Sequence, residues 1–152
     1  MTTTLMCLDL EGTIIKTELN PEIIDNNKQV ISELKEQYQI EDFFIFSSVI
    51  CTINDADKFQ GSVLHEKLNE NFSITISNAF PIDYAWEALA GTKLKYDIMN
   101  KPCKESLFLA YIDKYFESKI KEKTRYILID DTVNTKTIIL ESGNEVMFIR
   151  GK

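Results

Sequence analysis

The sequence has few of the residues that build metal centres and disulfide frameworks. It contains one histidine, His65, and three cysteines, Cys7, Cys51 and Cys103, in 152 residues. The cysteines are odd in number and scattered, with no Cys-x-x-Cys pair, so neither a disulfide scaffold nor a zinc site is expected. Free thiols fit a reducing compartment, and a cytoplasmic location is expected. A lone His65 without a partner is expected on a helix surface. Basic residues are also in the minority, 17 Lys and Arg against 24 Asp and Glu, for a net charge of −7. That balance excludes a passive basic platform for nucleic acid or anionic membrane. Met1 is followed by no basic n-region, and no apolar run approaches the roughly 20 residues of a membrane span. Neither a signal peptide nor a membrane partner is expected.

What is present is ordinary for a soluble globular chain: 44% apolar and 27% charged residues. At this length one domain is expected, residues 1–152. Short apolar runs alternate with helical patterns. The runs are Leu5 to Leu8, Phe43 to Phe46, Ser73 to Ser77, Tyr126 to Ile129 and Val146 to Ile149. Pro21 is expected to open a helix with Ile23, Ile24, Val30, Ile31 and Leu34 on its apolar side. Asn54 and Asp55 are expected to cap one carrying Phe59, Val63, Leu64 and Leu68. Helical patterns also start at Tyr84 and after Pro102, and a short segment leads to Leu140. Phe43, Phe44, Phe46, Trp86, Tyr111 and Phe116 are expected in the core. The fold expected is an α/β three-layer sandwich, a five-stranded mostly parallel sheet covered on both faces.

In open parallel sheets, ligands sit beyond the carboxyl ends of the strands, so the residues closing each run matter most. The first run is followed by Asp9-Leu10-Glu11-Gly12-Thr13, the second by Ser47 and Ser48, the fourth by Asp130 and Asp131. Acids converging from separate strands repel one another unless a cation offsets them. An oxygen-only donor set selects a hard ion, with Mg²⁺ expected, and such an ion holds phosphate oxygens. Lys93, Lys95 and Lys104, near Lys101 in sequence, read as a solvated helix face, with help to an anionic substrate as the alternative. The run Lys119, Lys121, Lys123 and Arg125 reads as a solvated connection before the fourth strand.

These segments, in this order, resemble the haloacid dehalogenase-like (HAD) superfamily of phosphohydrolases. Asp9 to Thr13 is similar to its Asp-x-Asp-Gly-Thr motif, and Ser47 to the hydroxyl closing its second motif. Lys101-Pro102 is similar to the Lys-Pro form of the third, and Ile127 to Asp131, with Asn134 nearby, to the acidic fourth. The resemblance spans nearly the whole chain, so residues 1–152 would form one HAD-like, Rossmann-like domain. It implies a Mg²⁺-dependent phosphatase that hydrolyses a phosphomonoester through an aspartyl-phosphate. Asp9 would be the nucleophile, Glu11 the general acid and base, Ser47 a donor to the phosphoryl group and Lys101 the balancing charge. Asp9, Asp130, Asp131 and the backbone carbonyl of Glu11 would hold the metal. Gly12, Thr13 and Ser48 would be substrate-binding positions, and Thr13 to Leu19 a flap beside the site. The family's usual acid/base is Asp; Glu11 is one methylene longer, as in the enolase-phosphatase branch, whose second motif likewise reads Ser-Ser.

No interval between these motifs leaves room for a sizeable cap domain. Capless relatives take macromolecular phosphates, or small molecules in a site that a neighbouring subunit covers. The acidic charge favours a phosphorylated small molecule over a nucleic-acid or protein phosphate, with a homo-oligomer covering the site. One alternative is a catalytically silent HAD-like phosphate-binding protein. Another is a receiver-like phosphoacceptor domain, disfavoured because its phosphorylated Asp ends a mid-chain strand, whereas here the third run closes at Ser77-Asn78.

Overall fold

A computed structural model describes residues 2–91 and 104–152. Strand β1 (Thr3–Leu8) lies inside the sheet, with β2 (Phe43–Ile45) on one side and β4 (Thr124–Asp130) on the other, both parallel to it. Outside them lie β3 (Ile76–Ala79), β6 (Glu145–Arg150) and β5 (Lys136–Ile139). The order is β3-β2-β1-β4-β6-β5, and only β5 runs antiparallel to its neighbour. The sheet therefore has six strands rather than five. Its additional member is the segment before Leu140, whose exposed or half-buried side chains give no apolar run to recognise.

Strand side chains alternate between two cores, as the period of two requires. Met6, Leu8, Phe43, Ile45, Ile127 and Ile129 face helices α1 (Lys28–Tyr38), α2 (Ile53–Phe59) and α3 (Val63–Phe72). Cys7, Phe46, Tyr126, Leu128 and Phe148 face α4 (Ile82–Ala90) and α5 (Lys104–Ile112), which runs on into a π-helical turn at Asp113–Glu117. The fold is α/β, with helices on both faces of a mostly parallel sheet.

Local chemistry moves several boundaries from where the sequence pattern puts them. Pro21 opens no helix: Ile23 bridges Ile15 in an irregular loop, and α1 begins only at Lys28. Asp55 is not an N-cap. Thr52 is, with Asp55 completing a capping box three residues on. The pattern through Leu68 splits into α2 and α3 at Gly61, whose φ is 77°, and Ser62 caps α3. Ser73 ends α3 in the left-handed region, so β3 starts at Ile76 instead of Ser73. His65 is on a helix but buried: Nδ1 accepts from the Gly61 N–H at 2.9 Å, and Nε2 meets the Ile76 carbonyl at 2.7 Å. Those two partners fix the neutral tautomer with its proton on Nε2. Trp86, expected in the core, is 42% exposed, whereas the other five named aromatics pack into it. Arg125 is not simply solvated, since it pairs with Glu145 at 3.0 Å and lies over the Tyr38 ring. No helix among the described residues is long and apolar enough to cross a membrane.

Candidate active site

The chain leaves β1 toward β2 and β3 on one side, and β4 leads outward to β6 on the other. The junction between β1 and β4 is therefore the point where the strand order diverges, the usual location of a ligand crevice. Leu8 lies opposite Ile129, and the Asp9 N–H extends the ladder by donating to the Ile129 carbonyl at 3.1 Å. This register sets Asp9 and Asp130 side by side at the ends of adjacent strands. Both are buried, and with Asp131 they bring one carboxylate oxygen each within 4.8 Å of one another.

Lys104, the first residue of α5, reaches across this pair. Its ammonium is 3.3 Å from Asp9 Oδ1 and 2.8 Å from Asp130 Oδ2, with 10% of the side chain exposed. The Phe46 ring lies 5.4 Å from the same ammonium and shields it. The expectation that Lys104 belongs to a solvated face is thus overturned. Sequence spacing places a residue on a helix face but does not say which face meets a strand end. Lys101, expected to balance the charge on Asp9, lies outside the described residues, as do Lys93, Lys95 and Cys103.

Each acid is held in place by local chemistry. Asp130 Oδ1 accepts from both the backbone N–H and the hydroxyl of Thr132, at 2.8 and 2.6 Å. Thr132 was missed in the sequence, although an Asp followed two residues later by Thr is a recognisable side-chain-to-backbone turn. Thr13, fully buried, donates its hydroxyl proton to Asp9 Oδ2 at 3.2 Å and accepts the Asp131 N–H at 3.2 Å. The hydroxyl thereby ties Asp9 to Asp131. Buried Asn27 holds Thr13 in turn, donating to its carbonyl at 2.9 Å while accepting the Lys152 N–H at 2.7 Å. Gly12 has φ 80°, and a Cβ there would lie 2.9 Å from Asp131 Cγ. Both the turn and the seat of Asp131 therefore require glycine.

Ser47, fully buried just past β2, receives the Val49 N–H at 3.5 Å and is near enough to Asp9 to oppose the rise in its pKa. Ser48 is exposed, and its carbonyl accepts the Cys51 thiol at 3.1 Å. Glu11 is exposed and stands apart from the cluster, with Oε2 accepting the Glu18 N–H at 2.9 Å. Desolvation is the largest influence on Asp9 and raises its pKa. The positive charge of Lys104 opposes that rise, Asp130 adds to it, and hydrogen bonds from Ser47 and Lys104 oppose it. The balance leaves Asp9 at about 6.

Among the described residues, three carboxylates stand against one ammonium, an excess of negative charge that a cation would offset. The donors are all oxygens, so a hard ion fits, and Asp131 offers its carboxylate where Gly12 leaves room. Compared with family models, curated proteins and solved structures, the chain matches none.

Proposed function

We propose that this protein is a divalent-cation-dependent phosphomonoesterase of the HAD type, with Asp9 as nucleophile. The observation that carries this reading is Lys104 bridging two acids at the ends of adjacent central strands, with buried Ser47 at the end of the next strand. That combination joins a nucleophile, a charge-balancing ammonium and a phosphoryl donor in one crevice. Lys104 takes the role that the resemblance gave to Lys101. Thr13 is a positioning residue rather than a substrate contact, since its hydroxyl is already committed to Asp9 and Asp131.

A carboxylate oxygen of Asp9 attacks phosphorus, and the bond from phosphorus to the ester oxygen breaks. The leaving oxygen takes a proton from Glu11, giving the free alcohol and an aspartyl-phosphate. Glu11, now ionised, accepts a proton from water as the water oxygen attacks phosphorus. The phosphorus bond to Asp9 breaks, releasing phosphate and restoring both acids. Ser47 and Lys104 stabilise the charge developing on the phosphoryl oxygens. Mg²⁺, held by Asp9, Asp130 and Asp131 with the Glu11 carbonyl, would supply neutralisation of the phosphate charge when bound. Among the described residues, the interval after Asp9 holds α1 and the interval after Ser47 holds α2, α3, β3 and α4. An open site of this kind suits a small phosphorylated molecule, with a second copy of the chain covering it.

One observation favours a catalytically silent phosphate-binding protein instead: the Glu11 carboxylate is bonded to the Glu18 N–H and lies outside the acid cluster. The two readings separate in a panel of phosphomonoesters, nucleotides and phosphorylated ends assayed with Mg²⁺ for wild type and Asp9→Asn. Phosphate release that disappears in the variant supports hydrolysis. Release that survives Asp9→Asn sinks the nucleophile, and no release from any member of the panel favours the silent reading.

A further inference from the structure

A second concave feature opens next to Glu11. It is a cleft of about 270 Å³ between the loop after β1 and the α2–α3 pair. Leu10, Ile15, Val49, Ile50, Phe59 and Leu64 form its apolar lining, while Glu18, Asp55 and Lys58 bring the charges. Of those three, Asp55 is already used, accepting the Cys51 and Thr52 N–H groups at 3.2 and 3.0 Å to cap α2.

The walls of this cleft are the backbone that holds the reacting groups. Leu10 lies between Asp9 and Glu11. The Ile15 carbonyl accepts the Gly12 N–H at 2.8 Å, which pins this wall to the turn beneath the acid cluster. The Glu18 N–H fixes the Glu11 carboxylate, and the Val49 N–H meets Ser47 Oγ. Two residues of the lining, Glu18 and Val49, are thus hydrogen-bonded to Glu11 and Ser47, which sets the cleft beside the groups that would handle the leaving oxygen. Chain neighbours of the lining include exposed apolar residues. Leu19, beside Glu18, is 98% exposed; Val63, between Ser62 and Leu64, is 68% exposed; Ile53, two residues before Asp55, is 50% exposed.

We propose that this cleft receives the leaving group of the phosphomonoester, and that the preferred substrate is the phosphate of an alcohol or phenol with an apolar body. The inference rests on the phosphatase reading. A sugar or polyol would bring hydroxyls against Ile15, Val49, Phe59 and Leu64, whose side chains offer no donor or acceptor. Of the polar lining groups, Asp55 and Ser62 already cap helices and only Glu18 and Lys58 remain, so most of those hydroxyls would be desolvated at a cost. An aromatic or branched aliphatic body gains contact area there instead.

The test is binding, so it does not require turnover. Phenylphosphonate and methylphosphonate, which cannot be hydrolysed at phosphorus, are titrated with Mg²⁺ present while amide NMR shifts are followed. Phenylphosphonate is expected to bind about tenfold tighter or more, moving the amides of Leu10, Ile15, Val49, Phe59 and Leu64. Leu64→Ser is expected to remove that preference and leave methylphosphonate affinity unchanged, and the wild-type titration stands if that variant misfolds. Equal affinity for the two phosphonates, or shifts confined to the acid cluster, overturns the proposal. Phenylphosphonate bound in the cleft of a protein that releases no phosphate overturns the hydrolytic reading and leaves the cleft assignment standing. Phosphate release together with equal phosphonate affinities does the reverse.

Discussion

Strand β4 carries a carboxylate network near each of its ends, and the two are built on opposite terms. Near its start, Glu117, presented by the π-helical turn, accepts hydrogen bonds from the Tyr126 hydroxyl, the Asn144 side-chain amide and Ser142. Burial alone would raise its pKa, but those neutral donors outweigh burial and hold it below the ordinary range. At the other end, Asp130 and Asp9 share one lysine, with Asp131 crowded alongside, and Asp9 is pushed up to about 6. One carboxylate has everything it needs from the protein. The other three, though hydrogen-bonded, have one ammonium between them among the described residues.

The largest effect that should separate the two ends is on activity. Asp9→Asn removes the proposed nucleophile while keeping its shape, and phosphate release should fall by roughly four orders of magnitude. Glu117→Gln should leave the rate unchanged in the same assay. Next in size is Lys104→Met, which strips the ammonium from two buried acids. An unfolding midpoint in urea should report a loss of about 3 kcal/mol, the usual consequence of leaving a buried charge unpaired. Lys101→Met should cost less, and a larger loss there would return the charge-balancing role to Lys101.

Gly12→Ala comes third. Its methyl group meets the Asp131 carboxylate, and its φ of 80° disfavours a side chain. Calorimetric titration should show Mg²⁺ affinity reduced about 10–100-fold, in the range seen when a ligand's support is disturbed. The smallest effect belongs to Glu117→Gln itself. Because the folded pKa is lowered, its stabilisation is present above the unfolded value of about 4.3 and lost as pH falls through the lower folded value. The variant should lose about 1 kcal/mol or less at neutral pH, given partial solvent screening. Its stability should also depend less on pH on the acid side. Thermal melts from pH 3 to 7 check both points.

The central strands were legible because β1, β2, β4 and β6 bury side chains on both faces and so read as apolar runs. Their ends were legible for the same reason, which is how Asp9, Ser47, Asp130 and Asp131 were found. Strand β5 was not, since an edge strand with exposed Lys136, Thr137 and Ile139 has the composition of a loop. The first helix was misplaced because Pro21 suits a helix start and a tight loop equally well. The contact of Lys104 with two acids is not legible for a deeper reason. Lys101 lies in a Lys-Pro pair that resembles a motif, whereas the reach of Lys104 depends on where α5 begins relative to two strand ends. That relation is tertiary, and neither spacing nor composition records it. Thr13 was read as a substrate contact, and only the geometry shows its hydroxyl divided between Asp9 and Asp131.

The central claim is that the crowded end of β4 serves covalent phosphoryl transfer through Asp9. The most direct measurement is chemical trapping during turnover with Mg²⁺ and a cleaved phosphomonoester. The reaction is quenched, an acyl phosphate is reduced with borohydride, and the peptides are sequenced by mass spectrometry. The account predicts homoserine at position 9 in wild type and none in Asp9→Asn. Phosphate released with no reduced residue, or with the reduction at Asp130 or Asp131, would contradict it.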